Sequence, residues 1–179
     1  MKQKDPPKIK IVHVLLIVGI VFGGRYAFKY LFDKTVYRGA WYEVKVPEGW
    51  SKTVREDEVI FSSPEKDLFT EIPDATFSIY AKKSTGALFI EDVISEVVES
   101  LPKVNAELID KGEFKVAGLI SKWVLFHQKD TNLTVLTFYF VDDYNRLTKI
   151  EFVTTTRRFL QYKPEFEKFK GSFKFTGMI

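Results

Sequence analysis

The sequence predicts an α+β fold: one domain built on a central antiparallel sheet, preceded by one transmembrane helix. Three observations carry this. An unbroken apolar run near the N-terminus reads IVHVLLIVGIVFGG. Beyond it, one strongly amphipathic helix pattern stands among many short segments that alternate apolar and polar residues. Turn residues separate the last four of these segments at hairpin spacing.

The N-terminal element divides into a basic tail (1–10) and the membrane helix (11–32). Fourteen residues of helix from Ile11 to Gly24 reach only ~21 Å, short of a ~30 Å hydrocarbon core. The pattern continues through RYAFKYLF, and 11–32 spans ~33 Å. Arg25 and Lys29 are four apart, so they share a helix face and can reach the headgroups. Tyr26, Tyr30, Phe28 and Phe32 supply the aromatic belt expected at that membrane interface. A cleaved signal peptide is the rival reading; the absence of an A-x-A site and the continued helix beyond Gly24 favour an anchor. Gly19 and Gly23 form a G-x-x-x-G, a candidate contact with a partner helix, since two glycines let another backbone approach closely. His13 lies one turn from Lys10 and reads as a neutral histidine near the headgroups.

Charge is unevenly distributed. Residues 1–39 carry eight basic residues against two acids, a balance of +6, whereas 40–179 carry 19 basic and 22 acidic residues, a balance of −3. The basic isoelectric point therefore belongs to the anchor and its flanks, where it suits anionic headgroups. A mildly acidic, mixed-charge domain argues against nucleic acid as a partner. With no cysteine in the chain, disulfides, thiolate metal sites, thiol catalysis and a lipidated cysteine are excluded.

After a linker (33–40), the domain occupies 41–179, about 140 residues, enough for a real core. YEVKV (42–46) alternates as a strand, and Pro47-Glu48-Gly49-Trp50 turns the chain. Strand-like runs follow at 51–55 and 59–61, then a loop (62–74) with two prolines. ATFSIYAK (75–82) alternates again. The clearest helix is 88–101: Ile90, Val93, Ile94, Val97, Val98 and Leu101 make one apolar stripe, and Pro102 ends it. Four strands follow at 107–116, 119–129, 133–141 and 147–154, joined by Ala117-Gly118, Asp130-Thr131-Asn132 and Asp142–Asn145 as turns, so the pattern is an antiparallel meander. LTVLTFYFV (133–141) is apolar on both faces, which predicts a central strand covered on both sides. A last helix is expected from Pro164 at its first turn to a stop at Gly171, followed by a short strand at 172–175.

The order of these elements, together with Val46-Pro47-Glu48-Gly49-Trp50, the amphipathic helix after the Phe77–Ala81 strand, Val116-Ala117-Gly118, Phe138-Tyr139-Phe140-Val141 and Tyr162…Phe166…Phe169…Ser172-Phe173, resembles the PsbP-like superfamily over most of 41–176. That superfamily includes Mog-type Ran-binding and DcrB-like proteins. The resemblance implies an α/β/α sandwich and a structural role for the turn, with Trp50 capping the core. It also implies an accessory role: extrinsic subunit, assembly factor, chaperone or binding protein, with no shared catalytic residues. Together with the anchor it implies a bacterial inner-membrane protein whose domain faces the periplasm or the exterior.

Candidate chemistry is sparse. His127, the one histidine of the domain, sits in a strand without ligand companions nearby. Asp142, Asp143 and Asn145 read as a turn rather than a calcium site. Arg157 and Arg158 read as a solvated helix start. No nucleophile elbow or phosphate loop occurs, so no catalytic, cofactor or metal residue is expected and enzyme activity is not. A small-molecule ligand remains unassigned. The candidate partner contacts are Leu68, Phe69 and Ile72 on the 62–74 loop, between charged neighbours. They contact a partner or tuck under the loop to close the core.

Overall fold

The computed structural model describes residues 35–66, 72–116 and 119–176. The strands are β1 (Val36–Arg38), β2 (Tyr42–Lys45), β3 (Ser51–Val54), β4 (Glu58–Ser62), β5 (Ala75–Lys83), β6 (Ala106–Val116), β7 (Leu119–Gln128), β8 (Leu133–Val141), β9 (Arg146–Thr155) and β10 (Lys174–Phe175). Two helices, α1 (Ile90–Ser100) and α2 (Phe159–Ser172), complete the domain, each adjoining a short 3-10 turn. The fold is α+β with a central antiparallel sheet of seven strands in the order β3-β4-β5-β9-β8-β7-β6, beside a small sheet β1-β2-β10.

Alternation decides what lies on each face of the large sheet. In β8 every residue from Thr134 to Phe140 is buried. Leu136, Phe138 and Phe140 join the larger core, whereas Tyr139 joins Val124 and the α1 side chain Ile94 in a smaller one. The two helices therefore pack on opposite faces. On the α2 face, Phe166 lies 5.1 Å from Phe152 and 5.4 Å from Phe138, ring to ring, and Phe169 lies 4.8 Å from Phe77. Each such pair adds roughly 0.5–1.5 kcal/mol beyond the area it buries. Trp50 stacks on Phe77 at 4.3 Å and so caps this core, and Gly49 before it takes the φ of 80° that the turn needs.

The long edge strand β6 carries a bulge between Leu108 and Asp110, which puts Leu108 on the α1 face and Phe114 on the α2 face. Lys111, Glu113 and Lys115 are exposed on it, charges that discourage another chain from adding to the edge. Gly112 pairs with Trp123, and a Cβ there would sit 2.9 Å from the indole. Glycine lets that large ring lie across the strand.

Several expectations need correction. Val36–Arg38, inside the expected linker, forms β1 by pairing with β2. The first helix stops at Ser100, and the chain continues through Pro102 as a 3-10 turn closed by Asn105 at φ 52°. The last helix begins at Phe159, so Pro164 lies inside it rather than at its start. Proline there leaves the carbonyl four residues back without a donor; that residue, Leu160, is 78% exposed, where water can serve. Gly171 is not the helix stop. The helix runs to Ser172, whose hydroxyl donates to the Phe169 carbonyl at 2.7 Å.

Candidate functional site

The 62–74 loop is held at its neck. The Ser63 amide donates to the Ala75 carbonyl (2.9 Å) and the Asp74 amide to the Glu65 carbonyl (3.0 Å). The Ser63 hydroxyl donates to the Glu65 carbonyl at 2.9 Å and accepts from the Ala75 amide at 3.1 Å. Lys66 and Pro73 form an isolated bridge. Two side-chain contacts then tie the neck to the start of α2. The Asp74 carboxylate, 4% exposed, pairs with Arg158, and the Tyr162 hydroxyl donates to Glu65 at 3.2 Å. Burial, and then the Glu65 carboxylate, raise the Tyr162 pKa above that of a free tyrosine. Thr154 of β9 adds a 2.7 Å bond to the Asp74 carbonyl.

Beside this neck one apolar side chain faces outward. Ile72 is 62% exposed. It stands at the lip of a hollow of about 360 Å³ floored by Pro73, Leu133 and Val153, with Thr131 and Thr155 supplying hydroxyls at its margin. Ile72 therefore does not tuck under the loop. Leu68 and Phe69 lie outside the described residues, as do Gly19, Gly23, Arg25, Tyr26, Lys29 and Tyr30. The expected membrane helix at 11–32 lies outside them too. Among the described residues no helix is long and apolar enough to cross a membrane.

Three of the remaining sequence candidates, His127, Asp142 and Arg158, have structural partners. His127 Nδ1 lies 3.0 Å from the Thr156 hydroxyl. The Asp142 carboxylate accepts from the amides of Tyr144 and Arg146, both at 3.0 Å, and pairs with the Arg146 guanidinium at 2.5 Å. That guanidinium in turn covers the rings of Trp41 (5.3 Å) and Tyr144 (5.0 Å). Arg158, expected as a solvated helix start, is the partner of buried Asp74. Asp74 lies 84 residues away in sequence, and no local pattern marks such a pair. Among the described residues no cluster of three or more His, Asp or Glu side chains could hold a metal ion.

A second concavity, about 390 Å³, lies along α2 against β6–β8. Its floor includes Phe114, Trp123 and Phe138, with Lys163 and Lys170 at the rim. The Lys170 ammonium lies 4.9 Å from each of the Phe114 and Phe138 rings. Sequence reasoning missed this groove. Its one local signal is Gly112, placed opposite Trp123 by the hairpin register.

No family model matches the chain, and no curated protein matches it. Solved structures do. Cyanobacterial PsbP (CyanoP) from Synechocystis aligns with a TM-score of 0.57 at 17% identity, covering 78% of this chain and 91% of its own. LpqN of Mycobacterium tuberculosis, described as involved in cell envelope biogenesis, aligns with a TM-score of 0.62 at 12% identity, covering 83% and 95%. PA94 of Pseudomonas aeruginosa, a protein of unknown function, aligns with a TM-score of 0.56 at 16% identity, covering 77% and 94%. The fold is therefore PsbP-like. At these identities the likeness is one of architecture.

Proposed function

We propose that this chain is a membrane-anchored, non-enzymatic accessory or assembly subunit. Its PsbP-like domain, on the extracytoplasmic side, binds a larger membrane protein complex through the 62–74 loop. One observation carries the reading: Ile72 is exposed on a loop whose neck is fixed by the ion pair of buried Asp74 with Arg158 and by backbone hydrogen bonds. A rigid neck presenting an apolar side chain costs little entropy on docking, which suits recognition. The PsbP-like fold supports it, as does the apolar run at 11–32.

The test is photocrosslinking in intact membranes. A photoreactive residue replaces Ile72, with the same residue at Lys83 as control. One dominant adduct from position 72, absent from position 83, supports the proposal. No adduct, or the same products from both positions, overturns it.

The aromatic groove along α2 favours a second reading, a binding domain or chaperone for apolar segments. Under it, crosslinks from Lys163, at the groove rim, replace those from Ile72.

A further inference from the structure

We infer that the outer face of the small sheet is a docking surface for anionic phospholipid headgroups. The inference rests on the anchor reading above and adds to it a specific surface of the domain.

In the small sheet Tyr42 and Val44 point inward to the core. Alternation turns Glu43 and Lys45 to the opposite face, where Glu43 is buried and Lys45 exposed, and the register sets Arg38 and Lys174 beside Glu43. Lys45 and Lys174, with Lys168 from the last turns of α2, border a hollow of about 420 Å³ beside Gly171 and Ser172. Among the described residues Glu43 is the one carboxylate lining it. It is largely buried and lies 3.8 Å from Arg38 and 3.9 Å from Lys174. Glu165 offsets Lys168 at 2.8 Å. Lys45, Lys168 and Lys174 outnumber Glu43 and Glu165, on a domain that is acidic as a whole. Cations commonly gather near a helix C-terminus to oppose its dipole, which accounts for Lys168. Arg38 and Lys45 come from β1 and β2 and owe nothing to that helix end.

On the anchor reading, the tether between the span and β1 is short. Strand β1 starts at Val36, four residues beyond Phe32, where the proposed span ends. Four residues reach at most ~14 Å, little more than the ~8–10 Å over which charges act at physiological salt. An anionic leaflet attracts each basic side chain near it by roughly fivefold in binding. Lys45, Lys168 and Lys174 together amount to about a hundredfold before Glu43 and Glu165 reduce it.

The chain lacks cysteine, so single labels are simple to place. Gly171 and Gly86 both have open space where a Cβ would go. The full chain carrying Gly171→Cys or Gly86→Cys receives a donor dye and is reconstituted into vesicles with acceptor-labelled headgroups. The vesicles are pure phosphatidylcholine or phosphatidylcholine with phosphatidylglycerol. The expected result is higher energy transfer from position 171 in the anionic vesicles. The gain disappears in high salt and in the Lys45→Glu/Lys168→Glu/Lys174→Glu variant, and position 86 shows a smaller response. Salt tests the unsubstituted surface, so the conclusion does not depend on that variant folding.

Carbonate extraction separates the two readings. If the chain resists extraction and position 171 gives equal transfer in both lipids, the docking surface is overturned and the anchor stands. If carbonate strips the chain, the anchor fails. In that case, binding confined to phosphatidylglycerol vesicles and lost in the triple variant upholds the surface by itself, and its absence overturns both.

Discussion

Replacing Arg158 with alanine removes the counter-charge from a carboxylate that has almost no water. The Asp74 side chain is 4% exposed and that of Arg158 34%. Stranding one member of a fully buried pair costs about 3–5 kcal/mol. The Arg158 site is one-third open, so water replaces part of what is lost, and about 2–3 kcal/mol is expected. Exposed pairs such as Lys168–Glu165, at 73% and 40% exposure, should by contrast cost under ~0.5 kcal/mol to break. The assay is equilibrium urea unfolding of the full chain in mild detergent, followed by tryptophan fluorescence. The companion variant is Asp74→Asn with Arg158→Ala, which removes the charge along with its partner. It should be more stable than Arg158→Ala alone by about 1 kcal/mol or more. Amide exchange at Asp74 and Ala75 should quicken in the single variant, because the ion pair closes the neck they belong to. A loss below ~0.5 kcal/mol, or a double variant no better than the single one, refutes the reasoning.

Gly112→Ala puts a methyl group 2.9 Å from the Trp123 indole. A loss of about 1–3 kcal/mol is expected, with a shift in tryptophan emission as the ring leaves the groove. Trp50→Ala removes a ring stacked 4.3 Å from Phe77, and thermal unfolding should show a loss of about 3–5 kcal/mol, less whatever Trp50's own exposure spares. Tyr42 and Tyr139 titrate well above the ordinary tyrosine value of 10.0, chiefly because both are buried. Below pH 10 both states hold the proton and stability does not depend on it. Above pH 10 the unfolded chain releases a proton that the fold retains, so each tyrosine lowers stability by about 1.4 kcal/mol per pH unit. Urea unfolding between neutral and strongly alkaline pH should show this decline, and a shallower one in Tyr139→Phe.

The meander was legible because period-2 alternation and turn residues are local signals. LTVLTFYFV announces its two covered faces by composition alone, and the structure buries Thr134 through Phe140. Trp50 at the core was legible through the resemblance that its turn carries. What failed depended on partners distant in sequence. Strand β1 is three residues long and exists because β2 pairs with it. Pro164 looked like a helix start because that is where proline usually sits. Here Tyr162, Phe166 and Phe169 bury one side of the helix, and that packing outweighs a single missing hydrogen bond. Arg158 looked solvated because Asp74 lies on another element. For the candidate site, Ile72 was singled out as a loop residue, with exposure and tucking under the loop both left open. The ion pair that fixes the loop was not.

Helix α2 connects the two surfaces argued for above. At its start, Arg158 and Tyr162 hold the neck of the 62–74 loop. At its end, the Ser172 hydroxyl accepts from the Lys45 amide at 2.9 Å and so fixes β2 and the basic hollow. Fourteen residues of helix separate these ends by about 20 Å. Between them Phe166 and Phe169 are locked among Phe77, Phe138 and Phe152, so the helix cannot slide without breaking the core. A domain seated on headgroups by its small sheet would therefore carry Ile72 at a fixed height above the bilayer. This makes the two proposals interdependent in one measurable way. Charge reversal at Lys45, Lys168 and Lys174 should weaken crosslinking from Ile72 without touching that residue. The same charge reversal should lower the urea midpoint only modestly, through the repulsion it places beside Glu43 and Glu165.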